Sequence, residues 1–279
     1  MKLYDMYQNF QITHPYQVIS IEHQKIRYRL FGHGEKTMLM LLGGSMFKYD
    51  AYFKLIESLE DTYRIITIDM PSDTKDIISY IQIIKKVLDL LSISKVHVFG
   101  TSQGGGIAQV FAKTQKAYTE SMILYNTLTR SKHMNPHSTD VIKQVLEAIS
   151  ELEELRILMS LDDIKRALIE QLSSVLMDPN DLDLFEKLIM EYSEHDEKRQ
   201  MRLIQDLLTN YVFEKEDFEY LKQKVLVFYG HDDDPFGGTE LIETLVELLT
   251  EPNLEFIDND RLGLILDPTL MVDKIKSYI

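Results

Sequence analysis

The run His97-Val98-Phe99-Gly100-Thr101-Ser102-Gln103-Gly104-Gly105-Gly106-Ile107-Ala108 limits the fold of this chain more than any other stretch. It opens as a continuous apolar strand of the kind buried on both faces of a parallel sheet. It then turns sharply into a helical pattern, with four glycines among the seven residues from 100 to 106. Gly100 and Gly104 stand two residues either side of Ser102, where small residues let the chain pass through a tight strand–helix turn. Gly105 and Gly106 let the following helix lie close to the sheet. A serine in such a turn is either presented for chemistry or merely caps the helix.

The rest of the chain repeats the strand–helix rhythm. Short β-rich runs lie at 17–21, 25–31, 37–42, 63–68, 95–99, 121–125, 224–229 and 254–257. The first two read as an opening strand pair around a polar turn at 22–24. Helical patterns fall at 50–59, 76–91, 103–113, around 241–249 and at 269–279. Alternation of this type builds βαβ units and a mainly parallel sheet. From 131 to 222 the rhythm stops. Val141, Val145, Ile149 and Leu152 recur every three to four positions, and no strand is legible. Ser160 and Asp163 form a capping-box pair, while Asp178-Pro179-Asn180-Asp181 reads as a helix break and restart. The expected fold class is α/β, with residues 1–130 and 223–279 forming the core domain. Residues 131–222 are expected to form an inserted all-helical lid over the carboxyl edge of the sheet.

Composition excludes several function classes. The chain has 279 residues, no cysteine and a net charge of −15. Disulfide scaffolds, thiolate metal sites and cysteine nucleophiles are therefore out. Positions 138–219 hold 21 acidic and 9 basic residues, a solvated helical face that repels nucleic acid and anionic lipid. No apolar run is long enough for a signal peptide or a membrane span, so a cytoplasmic protein is expected. There is no P-loop, and Ser102 stands where a dinucleotide fingerprint needs glycine. The His231-Asp232-Asp233-Asp234 cluster comes from one local turn, so no metal and no cofactor are expected.

Gly100-Thr101-Ser102-Gln103-Gly104, read with its strand and helix, resembles the nucleophile elbow of the α/β-hydrolase superfamily, and the resemblance extends over nearly the whole chain. It implies a mostly parallel sheet flanked by helices, with Ser102 as nucleophile. Leu41-Leu42-Gly43-Gly44-Ser45-Met46 follows the third strand, where the family carries its oxyanion loop. The resemblance therefore assigns the oxyanion hole to the backbone N–H groups of Ser45 and Gln103, donors that stabilise a tetrahedral intermediate. Gly230-His231-Asp232-Asp233-Asp234-Pro235 follows the strand at 224–229. The resemblance, which places the carboxylate three residues beyond that glycine, implies Asp233 as the acid that orients a histidine, with Asp232 as the fallback.

The family histidine belongs after the last strand, and there the pattern breaks. Aligning Asp267-Pro268 with the family's acidic-x-Pro puts Arg261 in the histidine's place, and no histidine follows His231. Arginine stays protonated and accepts no proton. Asp260 is too acidic to serve unless its pKa is strongly raised. A displaced base would have to be His231, His133 or His137. Asp69-Met70-Pro71-Ser72-Asp73 also runs almost directly into a helix, without the family's usual glycine-rich turn. With the Phe-Gln-Ile-Thr-His-Pro lead-in at 10–15 and Lys95-Val96-His97-Val98-Phe99-Gly100, this resembles the maspardin-like subgroup, regarded as non-catalytic. Two functions follow. One is a serine hydrolase acting on a small apolar ester or acyl compound held under the lid. The other is an inactive homologue that binds a ligand, or a protein through its acidic lid, with Arg261 paired to Asp233.

Overall fold

The computed structural model describes residues 2–43, 46–47, 49–176, 178–230, 241–257 and 261–279, leaving aside the side chains of 175, 179, 230 and 261. Its sheet is built from β1 (Gln17–Ile21), β2 (Gln24–Phe31), β3 (Lys36–Leu41), β4 (Tyr63–Ile68), β5 (Val96–Thr101), β6 (Thr119–Thr127), β7 (Val225–Gly230) and β8 (Asn253–Ile257). They pair in the order β1-β2-β4-β3-β5-β6-β7-β8. β1 and β2 form an antiparallel hairpin, with Glu22 in its turn at φ 55°. β2 is also antiparallel to β4, and every later pairing is parallel.

The apolar runs of β3 to β7 become strands because each is buried on both sides, alternating in which face it fills, while β1 and β8 at the sheet edges are largely exposed. Leu39 and Leu41 of β3 enter one core, Met38 and Met40 the other. β6 divides Met122 and Leu124 from Ile123 and Tyr125 in the same way. The first core lies under α3 (Ile77–Leu90), α4 (Ser102–Thr114) and two helices of the insertion. The second is covered by α1 (Leu3–Thr13), α2 (Phe53–Leu59), α10 (Arg261–Leu266) and α11 (Thr269–Tyr278). A short α9 (Ile242–Leu248) joins β7 to β8.

Two of these helices correct the sequence reading. α1 occupies a stretch to which the sequence reading gave no element, burying Leu3, Tyr7 and Phe10 at helical spacing. α10 begins at Arg261, where a loop was expected after the last strand. Leu264 and Ile265 give α10 its reason to form, both being buried in the second core.

Between β6 and β7 lie α5 (Pro136–Leu158), α6 (Leu161–Val175), α7 (Pro179–Met190) and α8 (Glu194–Asn210). Their starts follow local capping chemistry. Ser160 and Ser193 each close a capping box, and Asn135 and Asp178 accept from backbone N–H groups in the first turn. The base of the insertion is pinched by a bridge between Ser131 and Phe213, with Phe213 N–H donating to Arg130 O at 2.8 Å. The four helices share no core of their own among the described clusters. Val141, Val145, Leu203 and Leu207 join the first core, whereas Leu172, Leu184, Phe185 and Ile189 join the second. They consequently reach both faces of the sheet, and the start of α8 lines a cavity with Gly43, Asp69 and Gln103, residues just past the ends of β3, β4 and β5. α8 packs on α3, α4 and α5, and α7 packs on α1 and α6. Among the described residues, no helix is long and apolar enough to cross a membrane.

Buried His97 of β5 bonds through Nδ1 to Ser121 Oγ at 2.7 Å. Burial, then the Lys36 charge, pushes its pKa below the ordinary value of 6.5. The unfolded chain therefore binds a proton that the folded chain refuses. Stability should be full above pH 6.5 and fall as pH drops through that value toward the lowered folded pKa. Urea unfolding followed from neutral pH downward should show this loss, with a shallower slope for His97→Asn.

Candidate functional site

The strand order reverses between β3 and β5, since β4 lies on one side of β3 and β5 on the other. Ligands of open α/β sheets bind outside the carboxyl ends of strands at such a switch point. β5 ends at Thr101 and α4 begins at Ser102 with no intervening loop. Ser102 takes up the whole change of direction, at φ 50°. An L-residue in that region costs roughly 1–2 kcal/mol relative to ordinary backbone. Thr101 is the cap residue of α4, and its side chain makes no cap bond.

Two glycines hold the turn against its neighbours. A Cβ on Gly104 would lie 1.8 Å from the carbonyl oxygen of Leu41, at the end of β3. A Cβ on Gly105 would lie 2.1 Å from Thr127 Oγ1, at the end of β6. The carbonyl of Ser102 accepts from Leu128 N–H at 3.3 Å, and a bridge to Thr127 extends the sheet by one step. Next to that bridge, buried Asn126 is also left-handed, at φ 45°.

Two cavities meet at this point. A small one of about 10 Å³, room for one water-sized group, is bounded by Ser102, Thr101, Asn126, Tyr125 and Leu264. A large one of about 630 Å³ reaches from Gln103 to the β1–β2 hairpin and α8. Gly43 lines both. Gln103 is buried, and its side-chain Nε2 donates to Gln200 O of α8 at 3.2 Å. As the second residue of α4, Gln103 also has a backbone N–H with no carbonyl one turn back to take it.

The wall of the large cavity mixes apolar side chains, among them Ile26, Leu42, Phe47, Met70, Pro71 and Leu203, with charged and polar ones. Arg27 pairs with Asp69 at 3.3 Å, and Arg199 donates to Asp196 at 2.6 Å. Buried Arg29 donates to Asp50, to His14 O at 2.8 Å and to Gln11 Oε1 at 2.7 Å. Tyr16 is sandwiched between two guanidiniums, Arg27 at 3.8 Å and Arg29 at 3.6 Å, and donates to Asp50 at 2.9 Å. Burial, then the Asp50 and Asp69 carboxylates, pushes the Tyr16 hydroxyl well above its usual range, so it remains a donor. Sequence reading had quoted Asp69 and the lead-in holding Gln11 and His14 for their resemblance to a family pattern, and had given none of these residues a place in a site. The lysine and arginines at 25, 27 and 29 alternate along β2, which signals a strand with one polar face but not a buried guanidinium.

Of the residues singled out in the sequence, the structure brings Ser102 and Gln103 together at the seam between the cavities. His133 and His137 are both exposed, and neither lines a cavity. Ser45, His231, Asp232, Asp233 and Asp260 lie outside the described residues, as does the side chain of Arg261. Other histidines are engaged elsewhere: His14 with Glu60 at 2.8 Å, His97 with Ser121, and His195 with Ser72 O at 2.7 Å. Among the described residues, no group of three or more His, Asp or Glu is placed to hold a metal ion.

A family model described as alpha/beta hydrolase fold matches residues 36–152. No curated protein matches the sequence. Among solved structures, lip1 of Acinetobacter baumannii AYE superposes with a TM-score of 0.71 at 16% identity, covering 100% of this chain and 95% of that one. A membrane phospholipase A, described as a bacterial virulence factor, gives 0.69 at 13% identity, covering 99% and 89%. The carboxylesterase CesB (YbfK) of Bacillus subtilis gives 0.66 at 15% identity, covering 99% and 96%. Strand order, helix placement, family model and neighbours agree: the chain is an α/β-hydrolase-fold protein.

Proposed function

We propose that this protein is an ester or acyl hydrolase with Ser102 as its nucleophile. The observation that carries the reading is the backbone of Ser102, a non-glycine residue held at φ 50° beside a cavity. Glycine would occupy that position without the steric cost, so retention of a side chain there points to use of its hydroxyl. Of the other left-handed non-glycine residues, Ser92 and Gln223 lie at turns between elements and line neither cavity, whereas Asn126 lies in β6 and shares the small cavity with Ser102.

In this reading Ser102 Oγ attacks the substrate carbonyl carbon and its proton passes to a histidine. The carbonyl oxygen gains the negative charge and is held by the N–H groups of Ser45 and Gln103. As the tetrahedral intermediate collapses, the histidine returns the proton to the leaving alkoxide. Water then cleaves the acyl-enzyme by the same route. Asp233 orients and charge-stabilises the histidine. His231 is the assigned base, because it heads the acid loop and His133 and His137 are exposed away from both cavities.

A second reading, an inactive binding homologue with Arg261 paired to Asp233, is favoured by a different observation. No histidine lines either cavity among the described residues. Fluorophosphonate labelling and p-nitrophenyl acetate turnover separate the two. Labelling at Ser102, with turnover falling about a thousandfold in His231→Gln, is the result expected. Full turnover in His231→Gln would move the base elsewhere. An unlabelled Ser102 with background rates would establish the binding reading.

A further inference from the structure

We infer that the end of α5 is a docking surface for a protein partner whose contact face is apolar and rimmed by lysine or arginine, such as one side of a basic amphipathic helix. The inference goes beyond the hydrolase reading and does not depend on it, since no residue of this tip lines either cavity. Leu155, Ile157, Leu158 and Met159 are all exposed. At 82% and 83%, Ile157 and Leu158 are the most exposed large apolar side chains among the described residues. A single exposed leucine is ordinary, but four such side chains within positions 155–159 form a patch whose burial is favourable. Arg156, between them, is already matched. Its guanidinium donates to Glu197 at 3.0 Å, to Glu194 at 2.9 Å and to Met159 O at 2.6 Å.

Charge then selects the occupant. Glu151, Glu153 and Glu154 stand four positions before Leu155, Ile157 and Leu158 respectively, so each of these apolar side chains lies about one helical turn beyond a carboxylate. The three glutamates are exposed, and none is in an ion pair among the described residues. The dipole of α5 adds negative potential at the same end. A second copy of this chain would bring the same carboxylates and set like charges against each other. An anionic membrane is repelled for the same reason, and a zwitterionic one would strip water from the glutamates as the apolar side chains entered it. A face that carries lysine or arginine beside apolar side chains satisfies both halves of the patch at once.

The probe is a fluorescein-labelled helical peptide with leucine along one face and lysine along the other, titrated with the whole chain and read by anisotropy. A peptide of the same composition in scrambled order controls for attraction by net charge alone. The amphipathic peptide should bind about tenfold or more tighter than the scrambled one. Ile157→Ser/Leu158→Ser should erase that difference. Glu153→Lys/Glu154→Lys should weaken binding by about tenfold and flatten its dependence on salt. Glu219→Lys/Glu247→Lys, the same change of charge on α9 and in the segment before β7, should keep the preference. Urea unfolding of every variant should match the unsubstituted protein, because each substituted side chain is exposed. Equal binding of the two peptides, or a preference that survives Ile157→Ser/Leu158→Ser, would overturn the inference. Flotation with phosphatidylcholine vesicles, or self-association in sedimentation, that Ile157→Ser/Leu158→Ser abolishes would also overturn it, giving the tip to a lipid surface or to a second copy.

Discussion

Gly104→Ala should destabilise the protein by about 3–5 kcal/mol, a loss large enough to leave little folded protein at physiological temperature. The added methyl would sit 1.8 Å from Leu41 O and 2.7 Å from Leu41 C. Both are backbone atoms of the strand paired with β5, so no side chain can rotate out of the way. Relief would require moving α4 off the sheet or breaking the β3–β5 register that joins Leu41 to Gly100. Gly43→Ala is the matched control. Among the described residues nothing lies within 4 Å of a Cβ there, so its stability should change by no more than about 0.5–1 kcal/mol, in the stabilising direction. Gly43 nevertheless lines both cavities, so its added methyl should lower kcat/KM while the fold holds. Urea unfolding of both variants tests the contrast. Equal stabilities would mean that α4 does not press on β3 as closely as described.

Ser102→Gly should separate stability from activity. Turnover is expected to fall at least about a thousandfold, as when a member of a serine triad is removed. Stability should stay level or rise by up to about 1.5 kcal/mol. Relief of the left-handed serine returns roughly 1–2 kcal/mol, and glycine's larger unfolded-state entropy takes back about 0.5–1 kcal/mol. Ser102→Ala should lose the same activity without the gain, because alanine keeps the Cβ that the backbone strains against. The comparison needs urea unfolding and p-nitrophenyl acetate kinetics on three proteins. Activity surviving in Ser102→Gly would remove Ser102 from the chemistry. A Ser102→Gly less stable than Ser102→Ala would show that the φ of 50° is not a strained state.

These two variants mark how far the site was legible. The glycine spacing around Ser102 announced a strand, a tight turn and a helix, because local sterics alone demand small residues there. Capping pairs such as Ser160 with Asp163 were equally readable, since their hydrogen bonds span three residues. α1 went unread although Leu3, Tyr7 and Phe10 carry its spacing. That helix gains most of its stability from contacts with distant partners, among them Phe53 of α2. α10 was hidden behind Asp258-Asn259-Asp260, a turn-like run, and by Gly263 inside the helix itself.

The charges lining the large cavity had no sequence signature. They come from β2, the turn at 49–52, the segment after β4, the end of α7 and the start of α8, separated by up to 174 positions between Lys25 and Arg199. Each charge looked like an ordinary surface residue in its own neighbourhood. Only the pairing of Arg29 with Asp50 and of Arg27 with Asp69 made them a wall. By itself, the sequence determined where the strands and most of the helices form and which serine sits at the turn, because those choices follow from side-chain period, glycine sterics and capping within a few residues. The order of the strands, the strain on Ser102 and the charges lining the cavity beside it were decided by tertiary structure. Each depends on contacts between residues far apart in the chain, whose free energies appear only when the sheet closes and the inserted helices settle against both its faces.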